Sequence, residues 1–186
     1  MQPIEINAGT WYLRALRADE RVDDRPVLLT AAGDADTLRY APLLAATTTA
    51  AATDYVRRRT QQWTEDRWYS WAVCEPTTGE MLAEVGLRNI EHTQRSAELA
   101  CWTAPAHRGK GVMTTAIGAV LRLAFADAGL GGLGLHRVSY LYVAGNTASA
   151  ALARRCGMVA EGQMRQAVTV DGERRDMVLL ARLATD

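Results

Sequence analysis

The order of elements read along the chain predicts a mixed α/β (α+β) domain, with helices packed beside a mostly antiparallel sheet. Three features carry that prediction. Apolar residues alternate from Tyr69 to Cys74 and resume from Met81 to Arg88 across the turn Pro76-Thr77-Thr78-Gly79, the pattern of a hairpin. A second hairpin is marked by Asp171-Gly172, between Val168–Val170 and Met177–Leu183. Between the two, a strand-like run ends at a basic glycine turn, His107-Arg108-Gly109-Lys110-Gly111. That turn leads into a run with helical spacing: Val112, Met113, Ala116, Ile117, Val120, Leu121 and Ala124.

Taken in order, weak alternation gives a first strand, Ile4 to Leu16 at its widest. Ala18 to Leu44 reads as one or two short helices broken at Pro26 and Pro42. A helix follows from about Ala50 to Trp63, with Asp54, Arg57, Arg58 and Arg59 as its wet side. After the first hairpin, Asn89 to Arg95 connects to a strand over Ser96–Thr103. The segment Gly129-Leu130-Gly131-Gly132-Leu133-Gly134 is too rich in glycine for a helix interior and reads as a flexible connector. Val138 to Val143 is a β-branched and aromatic strand, stopped by Gly145 and Asn146. Thr147 to Cys156 is a short helix ended by Gly157.

Bulk properties narrow the function. At 186 residues a single domain spanning 1–186 is expected. A formal net charge of zero gives no case for an extended nucleic-acid surface, so any anion site must be local. No run of about 18 uninterrupted apolar residues appears, and no membrane span is expected. The three cysteines, Cys74, Cys101 and Cys156, are scattered singly, which favours a reducing, cytoplasmic setting and argues against structural zinc. Residues 1–7 lack the charged-then-apolar pattern of a signal peptide.

The glycine turn is the chemical centre of the chain. Strand, tight turn and helix bring several backbone N–H groups and the positive end of a helix to one point, which suits a phosphate or pyrophosphate. Arg108 and Lys110 add charge there. The turn lacks the GxxxxGK[ST] pattern of a nucleoside-triphosphate site.

On these residues the sequence resembles the GCN5-related N-acetyltransferase (GNAT) superfamily, in its branch of ribosomal-protein N-terminal acetyltransferases and their small-molecule relatives. The resemblance runs from about residue 9 to residue 183 and is strongest from Glu98 to Met158. It implies a central twisted sheet of about seven mostly antiparallel strands, helices on both faces and a splay between two central strands. The family's pattern begins with Arg or Gln and places Gly three residues on. It falls on Arg108 and Gly111, but its final small residue falls on Met113, whose side chain must then point away from the ligand.

The resemblance implies acetyl-CoA as cosubstrate, with no metal. Its pyrophosphate would lie against Arg108, Gly109, Lys110, Gly111, Val112, Met113 and Thr114, and its thioester among the amides of Cys101, Trp102 and Thr103. Asn146 would hold the pantetheine arm, and Ser149 would lie near the acyl group. Many relatives carry a tyrosine acid where this chain has Ala153, so Ser149, Tyr140 or Tyr142 would have to serve the leaving thiolate. Glu98 and Glu84 are the candidate bases. The implied activity is transfer of an acetyl group to a primary amine, a protein N-terminus or a small molecule, by direct attack in a ternary complex. A non-catalytic acetyl-CoA sensor or structural module is the alternative. No nucleic acid or membrane partner is expected, and the final hairpin with exposed aromatics is compatible with a homodimer.

Overall fold

The computed structural model describes residues 1–41, 44 and 46–186. The break expected at Pro42 falls outside them. The described strands form one sheet of eight in the order β1-β2-β3-β4-β5-β6-β8-β7. The first expected strand is split in two, β1 (Ile6–Asn7) and β2 (Tyr12–Arg14), by a turn in which Gly9 sits at φ 82°. That split makes the count eight instead of seven. The strands β3 (Trp68–Cys74), β4 (Met81–Glu91) and β5 (Ser96–Thr103) follow as an antiparallel run.

Among the described residues, three helices precede β3. In α1 (Arg25–Ala32), Pro26 lies in the first turn, where the missing N–H costs nothing, so it starts the helix instead of breaking it. The short α2 (Ala35–Tyr40) is capped by Asp34, whose carboxylate accepts from Thr37 N–H at 2.8 Å. The longer α3 (Thr49–Thr64) is capped by Thr48 and buries Ala52, Tyr55, Val56, Arg59 and Trp63, a stripe at helical spacing. Arg59 therefore leaves the wet face assigned to it, whereas Asp54, Arg57 and Arg58 remain exposed.

Beyond the glycine turn lie α4 (Val112–Phe125), β6 (Arg137–Val143) and α5 (Thr147–Arg155). The glycine connector is ordered. Its backbone folds onto the end of α4, with Gly132 N–H to Asp127 O at 3.0 Å and Gly134 N–H to Ala126 O at 2.8 Å. A Cβ on Gly132 would stand 2.2 Å from Ala126 O, so glycine is needed there for close approach and not for freedom.

The chain closes with the hairpin β7 (Val159–Val170) and β8 (Glu173–Leu183), joined through Asp171 and Gly172 at φ 51° and 79°. Both strands are longer than their apolar patterns suggest. β7 is an edge strand, exposed along most of its length and shifted in register between Ala160 and Gly162 and between Met164 and Val168.

Among the described residues, two cores flank the sheet. Val73, Val85 and Leu87 pack with Val112, Ala116, Ile117 and Val120 of α4 and Ala153 of α5. Ala72 and Cys74 pack with Leu28 of α1 and Tyr55 and Val56 of α3. Neighbouring residues of one strand point to opposite faces, so α4 and α5 cover one side and α1 and α3 the other.

Candidate active site

Among the described residues, strands β5 and β6 make the one parallel pairing of the sheet, and it stops early. Ser96 to Leu99 pair with Arg137 to Tyr140, and no further pairing follows although β5 continues to Thr103 and β6 to Val143. Beyond that point each strand is still held on its outer side. Cys101, Trp102 and Thr103 pair with Val85, Glu84 and Ala83 of β4, and Leu141 to Val143 pair with Leu179 to Met177 of β8. Two rigid strands thus diverge with facing backbone edges unpaired. The result is a slot whose walls offer N–H and C=O groups to whatever enters.

The glycine turn stands at the open end of this slot. Gly109 and Gly111 hold φ of 75° and 77°, and a Cβ at either would meet nothing within 4 Å. Backbone conformation, not crowding, selects glycine at both positions. Gly111 is the N-cap of α4, and no side chain caps the helix among the described residues. The first amides of the helix, at Val112, Met113 and Thr114, are thereby left for an anion. The side chains of Val112 and Met113 are in the core, Met113 at 7 % exposure, so the residue that departs from the family pattern points inward as required. Thr114 accepts from Arg155 Nε at 3.3 Å, tying α4 to α5.

The two cations of the turn differ. Lys110 is exposed. Arg108 reaches α2 instead of the turn: its guanidinium pairs with the Asp34 carboxylate and donates to Thr37 Oγ1 at 2.8 Å. The pairing holds the Asp34 carboxyl down at about 2, below the ordinary carboxylate range.

At the end of β6, Asn146 caps α5 through Oδ1, which accepts from Ser149 N–H at 3.0 Å. Its side-chain NH₂ is a second handle. Ser149 Oγ accepts from the Tyr140 hydroxyl at 3.1 Å, and Cys101 Sγ lies 3.9 Å from the same hydroxyl. Strand β5, strand β6 and helix α5 therefore meet at one polar point inside the slot. Burial raises the Tyr140 phenol well above its ordinary pKa and the Cys101 thiol up to about 12, so both stay protonated near neutrality. Ala153, where many relatives carry tyrosine, is 1 % exposed and packed in the core.

The two candidate carboxylates are placed differently. Glu98 lies where β5 and β6 are still paired, opposite Ser139. Its carboxylate bridges Arg88, its cross-strand neighbour, through Nε at 3.0 Å, and accepts from Asn89 Nδ2 at 2.9 Å. Glu84 is 3 % exposed and receives three donors: Tyr55 Oη at 2.7 Å, Arg59 Nε at 2.9 Å and Trp102 Nε1 at 2.9 Å. Arg59 also lies 3.6 Å from the centroid of the Trp68 ring.

The sequence reading missed Tyr55 and Arg59 as partners of Glu84, and Asp34 and Thr37 as partners of Arg108. A signal existed for Arg59. It sits four residues after Tyr55 and four before Trp63, on the apolar stripe of its helix. No such periodic cue links Arg108 to α2.

Among the described residues there is no helix long and apolar enough to cross a membrane and no group of His, Cys, Asp or Glu able to hold a metal ion. The uncapped helix start, the glycine turn and the slot together fit a diphosphate with a thioester-bearing arm.

Comparison with known proteins agrees. The acetyltransferase (GNAT) domain matches residues 12–159. YdaF of Bacillus subtilis (strain 168), provisionally named a ribosomal N-acetyltransferase, is 31% identical over 105 residues, covering 56% of this chain and 55% of its own length. Spermidine N(1)-acetyltransferase of Vibrio cholerae serotype O1 (strain ATCC 39315 / El Tor Inaba N16961) is 33% identical over 106 residues, covering 56% of this chain and 58% of its own. The chain thus spans little more than half the length of these two relatives. Mycobacterium smegmatis RimJ, solved in complex with CoA-disulfide, superposes with a TM-score of 0.81 at 22% identity, covering 98% of this chain and 86% of that one. On its diverging strands, its glycine turn and this match across most of its length, the chain belongs to the acetyltransferase (GNAT) domain family.

Proposed function

We propose that this chain is an acetyl-CoA-dependent N-acetyltransferase that moves an acetyl group to a primary amine by direct attack in a ternary complex. One observation carries the reading: the pairing of β5 with β6 ends at Leu99 and Tyr140, and the slot so formed leads to the uncapped start of α4. In this reading the amides of residues 109–114 receive the pyrophosphate, with Lys110 as the nearby cation. The NH₂ of Asn146 donates to the pantetheine arm. Free amides among Cys101, Trp102 and Thr103 donate to the thioester carbonyl as negative charge gathers on its oxygen.

The acceptor must attack as a neutral amine. Its nitrogen forms the new bond to the carbonyl carbon, the C–S bond breaks, and one amine proton must leave. Of the two carboxylates, Glu98 is assigned to take that proton through water, because its side chain keeps some exposure. Glu84 is assigned to hold Trp102, and with it the end of β5, since Tyr55, Arg59 and Trp102 occupy a carboxylate that is all but sealed from solvent. Tyr140 donates to Ser149 Oγ, which leaves the Ser149 O–H to point at the departing sulfur.

The test is thiol release from acetyl-CoA with a panel of N-terminal peptides and polyamines. Glu98→Gln and Ser149→Ala are expected to lower kcat by about tenfold or more while acetyl-CoA affinity is kept. Binding of acetyl-CoA with no thiol release to any amine would overturn this reading in favour of a sensor or structural module, a reading that the alanine at 153 supports.

A further inference from the structure

We propose that the acceptor is held by a carboxylate, in a cavity beneath α2, so that this chain acts on amines that carry a neighbouring anion. The proposal rests on the N-acetyltransferase reading and names its substrate class. The cavity is about 330 Å³. Its floor is Val143, the last residue of β6, with Ala144 and Gly145 of the turn that leads to Asn146. One wall is Arg39 and Tyr40 of α2, and the other is the turn of the last hairpin, with Asp171 and Arg175. It therefore lies at the open end of the slot, where β6 has parted from β5 and an amine would approach the thioester.

Charge decides what fits. The charged side chains lining the cavity are Arg39, Arg175 and Asp171, and Tyr40 adds a hydroxyl. Arg39 engages Asp171 through Nε at 2.7 Å, which leaves the other guanidinium nitrogens for a further acceptor. Arg175 pairs with Glu173, which is not among the lining residues. The two guanidinium groups are 43 % and 54 % exposed, so neither is sealed off. An entering carboxylate meets two planar donors suited to bidentate contact. An entering polyamine finds both nearby carboxylates, Asp171 and Glu173, already paired with the guanidinium groups.

The α2 wall of the cavity is tied at both ends. Asp34 and Thr37 tie the start of α2 to Arg108 of the glycine turn, and Arg39 ties its end to the hairpin. The cavity is thus a standing feature of the fold, with room for a side chain or two of a peptide.

The experiment compares kcat/KM for four probes: the peptide amides Ala-Asp-Asp-Ala, Ala-Asn-Asn-Ala and Ala-Lys-Lys-Ala, and spermidine. Each is run with the wild type and with a double variant, Arg39→Gln plus Arg175→Gln, whose melting temperature checks the fold. The acidic peptide is expected to lead the neutral one by about fivefold and the basic one by more. The double variant should erase that lead through KM, bringing the acidic peptide level with the neutral one. Equal rates for acidic and neutral peptides, or spermidine as the preferred acceptor, would overturn the proposal and leave acetyl transfer standing. Retention of the acidic preference in the double variant would overturn it as well. Failure of every probe to release thiol removes the transferase reading, and this one with it.

Discussion

The two sides of the slot are built by different means. The side that faces the glycine turn is backbone: two glycines in the left-handed region, an uncapped helix start and two unpaired strand edges. The side that faces α2 and α3 is made of side chains from distant parts of the chain, with Glu84 bridging Tyr55, Arg59 and Trp102, and Arg108 bridging Asp34 and Thr37. A backbone site tolerates change in side-chain identity, provided the conformation survives. A side-chain site depends on each partner. The first kind can be common to many sequences, and the second is where one chain differs from its relatives.

Mutations can break that contrast. The largest expected effect is on stability. Glu84→Ala leaves Arg59 charged in the interior without its partner and should cost about 3–5 kcal/mol, measured by urea denaturation. A cost near zero would mean that the network holds nothing together. Gly111→Val forces a β-branched residue to φ 77° and should raise the dissociation constant for acetyl-CoA by at least about tenfold, read by calorimetry. An unchanged constant would place the ligand elsewhere.

Smaller effects sharpen the comparison. Tyr140→Phe removes one hydrogen bond to Ser149 and should lower kcat about five- to tenfold with KM little changed. Because burial keeps the phenol protonated well above its ordinary range, the wild-type rate should show no loss from Tyr140 ionisation up to pH 10. The smallest effect concerns Asp34. Its folded pKa is about 2 against an ordinary 3.8, so its pairing stabilises the fold fully above pH 4, and that contribution is lost as pH falls through 2. Asp34→Asn should lower stability by about 1 kcal/mol or less at pH 7, with the gap to wild type closing towards pH 2 in denaturation curves.

The same contrast explains what could be read from the sequence. The turn at Arg108 to Gly111, the strand Ser96–Thr103 and the hairpin turn Asp171-Gly172 depend on local backbone preference, and local residues announce them. Strand β7 does not announce itself. It lies at the sheet edge with both faces largely wet, so the alternation that marks a half-buried strand is absent from Ala160 to Ala167. The glycine connector misleads for a related reason. Glycine signals freedom when only composition is seen, whereas Gly132 answers to the Ala126 carbonyl pressed against it. Arg59 sits in a run of three arginines, and composition hides that one of them faces inward. The partners of Arg108 are 71 and 74 residues away and those of Glu84 are 18 to 29, beyond the reach of any periodic pattern.

The most direct test of the account is a titration of the ¹⁵N-labelled chain with acetyl-CoA, followed by backbone amide NMR. The account predicts that the amides of Gly109 to Thr114 and of Cys101 to Thr103 shift and saturate together, while those of the exposed face of α3 stay where they are. Saturation with acetyl-CoA that leaves the amides of Val112, Met113 and Thr114 unmoved would contradict it.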